Sequence, residues 1–295
     1  MRSKTSVLLV VAMIASTGAA GAGTAPEPVV DDYPGVVDFR ASFEIAVLVY
    51  NASPGQVVHL ERRTPRTTKW VGLDKHQLDK SATFSFLLED VRHTAFYRAR
   101  VEKSPSESIR VAVRPRLTFT AKPKDIMKRG TTILRGLLRP VVEGRTVLLE
   151  QRVEGEWKPL GKAIVEDGRY SLRSRLSKSG FRRVRATFEG DELNARKRSR
   201  QIVRVHRPSL ATWYGPGFFG NRTACGQRFT RRTIGIAHRR LPCGTKVHVL
   251  YQGATILLEV IDRGPYTDAN WDLSQRAARK IGFYGKEDIG VLVRR

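Results

Sequence analysis

Thr255-Ile-Leu-Leu-Glu-Val-Ile-Asp262-Arg-Gly-Pro265 is the stretch on which the reading of the C-terminal third turns. Its first part is an almost unbroken β-branched and aliphatic run, which predicts a buried strand, and Arg-Gly-Pro ends that strand abruptly. Asp262 therefore emerges at a strand end, where a closed sheet opens to solvent. A carboxylate held there beside apolar walls is a candidate general acid or base, because partial desolvation raises its pKa toward working pH. The same side chain could instead hydrogen-bond the amides of Arg263 or Gly264 in a simple turn.

Working outward, Gly, aromatic residues and tight turns crowd together from Pro208 onward. Upstream lie Ala211-Thr-Trp-Tyr-Gly-Pro-Gly-Phe-Phe-Gly-Asn-Arg-Thr-Ala-Cys-Gly-Gln-Arg-Phe229 and Gly235-Ile-Ala-His-Arg-Arg-Leu-Pro-Cys-Gly-Thr-Lys-Val247; downstream lies Trp271-Asp-Leu-Ser274. Leu273, Ala277 and Ile281 recur at four-residue spacing, predicting a short helix that Asp272 caps and Gly282 closes.

The rest of the chain supplies context. Its 295 residues leave room for two or three domains. Fifty-three Lys and Arg against 28 Asp and Glu give a net charge of +25, which calls for polyanionic surroundings. At residues 1–23, Arg2 and Lys4 precede the apolar run Val7 to Ala15 and a small-residue tail, the three-part layout of a secretory signal peptide. The run is far shorter than the ~20 residues of a membrane span, so no transmembrane span is expected after signal cleavage. Export to the cell exterior, with retention at the wall, makes acidic wall polymers the expected partners and nucleic acid an improbable one. In an oxidising compartment a Cys225–Cys243 disulfide is expected, worth about 3 kcal/mol by chain entropy. Zinc bound through Cys225, Cys243, His238 and His248 is the competing reading.

Residues 24–38, rich in Pro and Asp, read as a linker. The middle is duplicated. Gly55 to Arg63 echoes Gly144 to Arg152, Trp70 echoes Trp157, and Tyr97 to Val101 echoes Val184 to Phe188 at offsets of 87–89 residues. Short alternating strands in each copy predict two tandem immunoglobulin-like β-sandwich modules, over 39–114 and 115–206. The equivalent positions of Trp70 and Trp157 favour core anchors over ligand platforms, and the two modules read as a spacer presenting residues 207–295.

The four C-terminal motifs, in this order, resemble the rare lipoprotein A family, related to expansin and barwin-like domains. The resemblance implies an all-β chain ending in a six-stranded double-psi β-barrel over 207–295. It implies a lytic transglycosylase acting on peptidoglycan glycan strands: the MurNAc-GlcNAc bond is cleaved to a 1,6-anhydro sugar, with no cofactor and no metal. The family's cleft aspartate and histidine correspond to Asp262 and His238, expected to face one another, and Asp272 corresponds to an acidic groove residue that binds or supports. Two further acidic positions of the family are Gln227 and Thr230 here. Both can still hydrogen-bond a sugar. Their loss motivates an alternative without bond cleavage, an expansin-like binding and loosening module. Trp213, Tyr214, Phe218, Phe219, Tyr266 and Trp271 supply rings on which pyranoses could stack, divided between groove and core.

Overall fold

The computed structural model describes residues 24–294, and the expected signal peptide lies outside the described residues. The described residues are all β apart from one helix, Gln275–Lys280. No helix among the described residues is long and apolar enough to cross a membrane.

Residues 27–114 form two facing sheets. Glu27–Asp32, Ala41–Tyr50 and Thr83–Val91 make one; Val57–Arg63, Val71–Gln77, Ala95–Val101 and Ile109–Arg114 are the main strands of the other. In Ala41–Tyr50 strict alternation buries Phe43, Ile45, Val47 and Val49, which meet Val58, Leu60, Tyr97 and Ala99 of the opposite sheet. The expected linker is therefore largely strand. Glu27–Asp32 pairs with Ala41–Tyr50 as an edge, where the missing N–H of Pro28 interrupts no ladder on its open side.

A second two-sheet body repeats the plan with its own core, including Leu134, Leu149, Tyr170, Val184 and Val203. The repeat extends to charged residues. Glu61 takes Arg98 at 2.8 Å and Arg100 at 2.7 Å, and Glu150 takes Arg185 at 2.6 Å. Trp70 lies under Arg98 at 4.3 Å and Trp157 under Arg185 at 4.2 Å. Both tryptophans are half-buried on the outer faces of their sheets rather than in the cores. The expectation of core anchors fails because a cation–π partner and the strand surface cover the ring without burying it.

The two bodies are joined through Asn194, whose Nδ2 donates to the backbone oxygens of Arg92 at 3.0 Å and Val113 at 3.2 Å. Arg145 holds Asn194 Oδ1 at 2.7 Å and pairs with Asp191.

The junction expected at 206/207 falls inside one 18-residue strand, Lys197–Tyr214. Its first half pairs with Gly180–Phe188 in the second body. Its second half pairs with Trp271–Ser274 and with Glu287–Val293. From Trp271–Ser274 the pairing runs through Ile236–Ala237, Ala254–Asp262 and Lys246–Tyr251 to Glu287–Val293, and so returns to the strand where it began. Trp271, Leu273, Val260, Leu258 and Ile236 fill the interior of this closed ring.

Candidate functional site

Four adjacent strands set the site. Ala237 is level with Asp272 on one side and with Asp262 on the other, and Asp272 is level with Thr212. Neighbouring strands lie about 4.8 Å apart, so the Cα atoms of the two aspartates stand roughly 10 Å from one another across the small Ala237. A register shift between Ile236 and Ala237 is what places Asp262, rather than Ile261, in this row.

Asp272 Oδ1 accepts the Thr212 hydroxyl at 2.9 Å. Burial is the main influence on its carboxyl, which is pushed up to about 6; the Thr212 hydrogen bond acts against that, and the nearby Asp262 charge adds to it. The expected helix cap is not Asp272. Ser274 takes that place, its Oγ accepting the Ala277 amide at 3.4 Å, because Asp272 is still within the preceding strand.

Asp262 Oδ1 accepts the amides of Arg263 and Ala224, each at 2.8 Å. The first is the turn hydrogen bond anticipated from sequence. The second, 38 residues away, ties the carboxylate to the loop that overhangs the site. Its Oδ2 has no hydrogen-bond partner among the described residues.

That loop is fixed in three ways. Phe229 stacks between Tyr214 at 4.6 Å and Phe219 at 5.4 Å. Gly220 and Phe229 close it by a backbone bond of 2.8 Å. The Cys225–Cys243 disulfide, with Cα atoms 5.7 Å apart, anchors it to the Pro242–Cys243 turn, which removes the zinc reading. Gln227 and Thr230 are exposed on this loop, and Thr230 Oγ1 lies 3.1 Å from Thr233 Oγ1.

The aromatic residues divide differently from expectation. Tyr214 offers no open face, being buried against Phe229, and its hydroxyl has no hydrogen-bond partner. Burial and the charges of Asp262 and Asp272 push that hydroxyl's pKa up, so Tyr214 borders both carboxyl groups. Trp213 is half-buried, packs toward the ring interior and donates Nε1 to Tyr284 O at 2.9 Å. Trp271 is core. Tyr266 and Phe218 are the exposed rings, at 83% and 55%.

His238 does not meet the Asp262 carboxylate. Their link is a backbone bond, His238 N to Asp262 O at 3.2 Å. The imidazole follows Ala237 in the strand and so points to the opposite face, where it lies 4.4 Å from the Trp271 ring. Nδ1 accepts the amides of Arg240 at 3.1 Å and Leu241 at 3.0 Å, so the neutral ring carries its proton on Nε2. Burial first, then Arg239 and Arg263, push the ring's pKa down. It opens onto a separate cleft of about 550 Å³ with Arg207, Asn270 and Asp288. Sequence reasoning missed Thr212 as the partner of Asp272. Sixty residues separate them, and only parallel strand pairing brings them together.

A family model described as lytic transglycolase matches residues 208–293. A Synechocystis protein named "Probable endolytic peptidoglycan transglycosylase RlpA" is 49% identical over 78 residues, 25% of this chain and 24% of that one. One of the same name from Aquifex aeolicus is 45% identical over 75 residues, 24% of this chain and 33% of its own. The Campylobacter jejuni "Endolytic peptidoglycan transglycosylase RlpA" is 32% identical over 115 residues, 37% of this chain and 41% of its own. The chain thus spans about a quarter to two fifths of the length of these curated relatives. Among solved structures, a marsupial T cell receptor aligns with 60% of the chain and 99% of its own at 16% identity, and its TM-score of 0.25 carries no argument.

Proposed function

We propose that this protein is a peptidoglycan lytic transglycosylase acting outside the cytoplasm, a reading supported by the match of residues 208–293 to the lytic transglycolase model and by their similarity to the RlpA relatives. The observation that carries the reading is the row Thr212, Asp272, Ala237, Asp262, with one carboxyl holding its proton to about pH 6. Asp272 gives its proton to the glycosidic oxygen as the C1–O bond breaks, releasing GlcNAc with a free 4-hydroxyl. The muramyl 6-hydroxyl attacks C1, and its proton passes to the open Oδ2 of Asp262. Asp272 thus changes from a supporting residue to the acid, and Asp262 serves as the base. His238 is a positioning residue in this scheme: its Nδ1 braces the Arg240–Leu241 turn beside the strand that separates the aspartates.

Gln227 and Thr230 on the overhanging loop offer hydrogen bonds to sugar hydroxyls, and Tyr266 and Phe218 offer ring faces. The closed pairing of strands supports a six-stranded double-psi barrel, and the two sandwiches support immunoglobulin-like spacer modules.

The test is digestion of purified peptidoglycan with mass spectrometry of the products. Anhydro-muropeptides are expected from the wild type, with a rate loss of about 10²–10⁴ for Asp272→Asn. Wild-type protein that binds wall but releases none would replace this reading with the expansin-like one, which the neutral residues Gln227 and Thr230 favour.

A further inference from the structure

A groove of about 930 Å³ runs along the outer sheet face of the second sandwich, where that sandwich meets the closed ring. Lys124, Arg152, Arg183, Arg200, Arg204 and Arg294 line it, and no Asp or Glu does. Cross-strand pairing explains the cluster. Arg183 is opposite Ile202, Phe181 is opposite Arg204 and Trp157 is opposite Arg152, so alternation turns all of them to one face. Arg204 is neutralised by Asp125 at 2.5 Å. The other five cations have no ion-pair partner among the described residues.

Arg98 and Arg100 are paired with Glu61, Arg185 with Glu150 and Arg145 with Asp191, whereas these five cations are exposed and share one concave face. Like charges gathered in one concave face repel, and an anion relieves them. Arginine forks suit the planar or tetrahedral oxygens of carboxylate and phosphate. Between the cations, Trp157, Phe181 (39% exposed) and Ile202 (49% exposed) offer apolar surface, with Phe181 edge-on to His248 at 5.6 Å. Alternating cations and apolar faces fit a chain with an anion at each repeat and carbon-rich units between.

We propose that this groove binds a phosphodiester-linked wall polymer of polyol or sugar units, holding the ring-shaped domain against the wall. The choice of a wall polymer over nucleic acid rests on the transglycosylase reading. The existence of a polyanion site rests on the charges alone.

The full chain is titrated calorimetrically with synthetic poly(glycerol phosphate). Binding is expected to weaken at least tenfold in Arg183→Gln/Arg200→Gln, with a flatter dependence on salt, and several-fold in Trp157→Ala. The control Arg110→Gln/Arg135→Gln removes the same charge from exposed strand positions outside the groove and is expected to change affinity less than twofold. Equal losses in the two double variants would overturn the site, since net charge would then explain binding. An oligothymidylate of equal charge that binds more tightly than the polyol phosphate would overturn the choice of ligand. Failure to cleave peptidoglycan with groove binding intact would remove the transglycosylase reading and leave the polyanion site standing, with its ligand decided by the oligothymidylate comparison.

Discussion

Asp272 is a carboxyl group whose neighbours deny it water without giving it a cation. Only the Thr212 hydroxyl reaches it at 2.9 Å, while Asp262 lies close enough to oppose ionisation. Its native pKa of about 6 exceeds the ordinary 3.8, so the folded protein keeps a proton that the unfolded chain releases. The stability tied to this group is therefore fully present below about pH 4 and is lost as pH rises to about 6. The loss is on the order of 2–3 kcal/mol. Urea unfolding of Asp272→Asn should lack this fall across pH 4–6, and a parallel slope in wild type and variant would contradict the shift. In turnover the same proton predicts a limb of kcat/KM, which reports the free enzyme, that declines above about pH 6. Asp262 was legible as a strand-end carboxylate from the apolar run before it. Its bond to the Ala224 amide was not, because the partner lies 38 residues upstream on a separate loop.

At the scale of elements, the overhanging loop is a device for closing one side of the site. It has little regular structure, so cross-links hold it: the Tyr214–Phe229–Phe219 stack and the Cys225–Cys243 bridge. Breaking the bridge with Cys225→Ser/Cys243→Ser should cost about 3 kcal/mol by loop entropy, read as a shift in the denaturant midpoint. Ser274 has a larger part than a cap: its hydroxyl accepts from Gly235 and Ala277 and donates to Thr233 O, joining the helix to the loop base. Ser274→Ala should therefore exceed the ~1 kcal/mol of an ordinary N-cap loss, since buried backbone groups lose their partner. Helix spacing was readable from Leu273, Ala277 and Ile281. The identity of the cap was not, because the last strand residues extend past Asp272.

For the whole molecule, the long strand Lys197–Tyr214 makes the second sandwich and the closed ring share a backbone, with Asp125–Met127 lying parallel to Arg204–His206 at the crossing. Gly290 permits that approach. A Cβ there would meet Met127 Sδ at 2.6 Å and His206 Cβ at 2.8 Å. Gly290→Ala should lower the thermal midpoint, read by calorimetry, because Met127 and His206 must move apart to admit the methyl group.

The sequence alone determined the all-β class, the duplication, the two cysteines available to pair and the strand that ends at Asp262. These follow from local alternation, from repeated residues at constant offset and from there being two cysteines in the chain. Tertiary structure decided that His238 turns from Asp262 toward Trp271, that Asp272 meets Thr212, that the matched tryptophans lie outside their cores, and that the expected linker is an edge strand. Each of these depends on register between segments distant in sequence. A shift of one residue sends a side chain to the other face of a sheet, and nothing local to either segment records that choice.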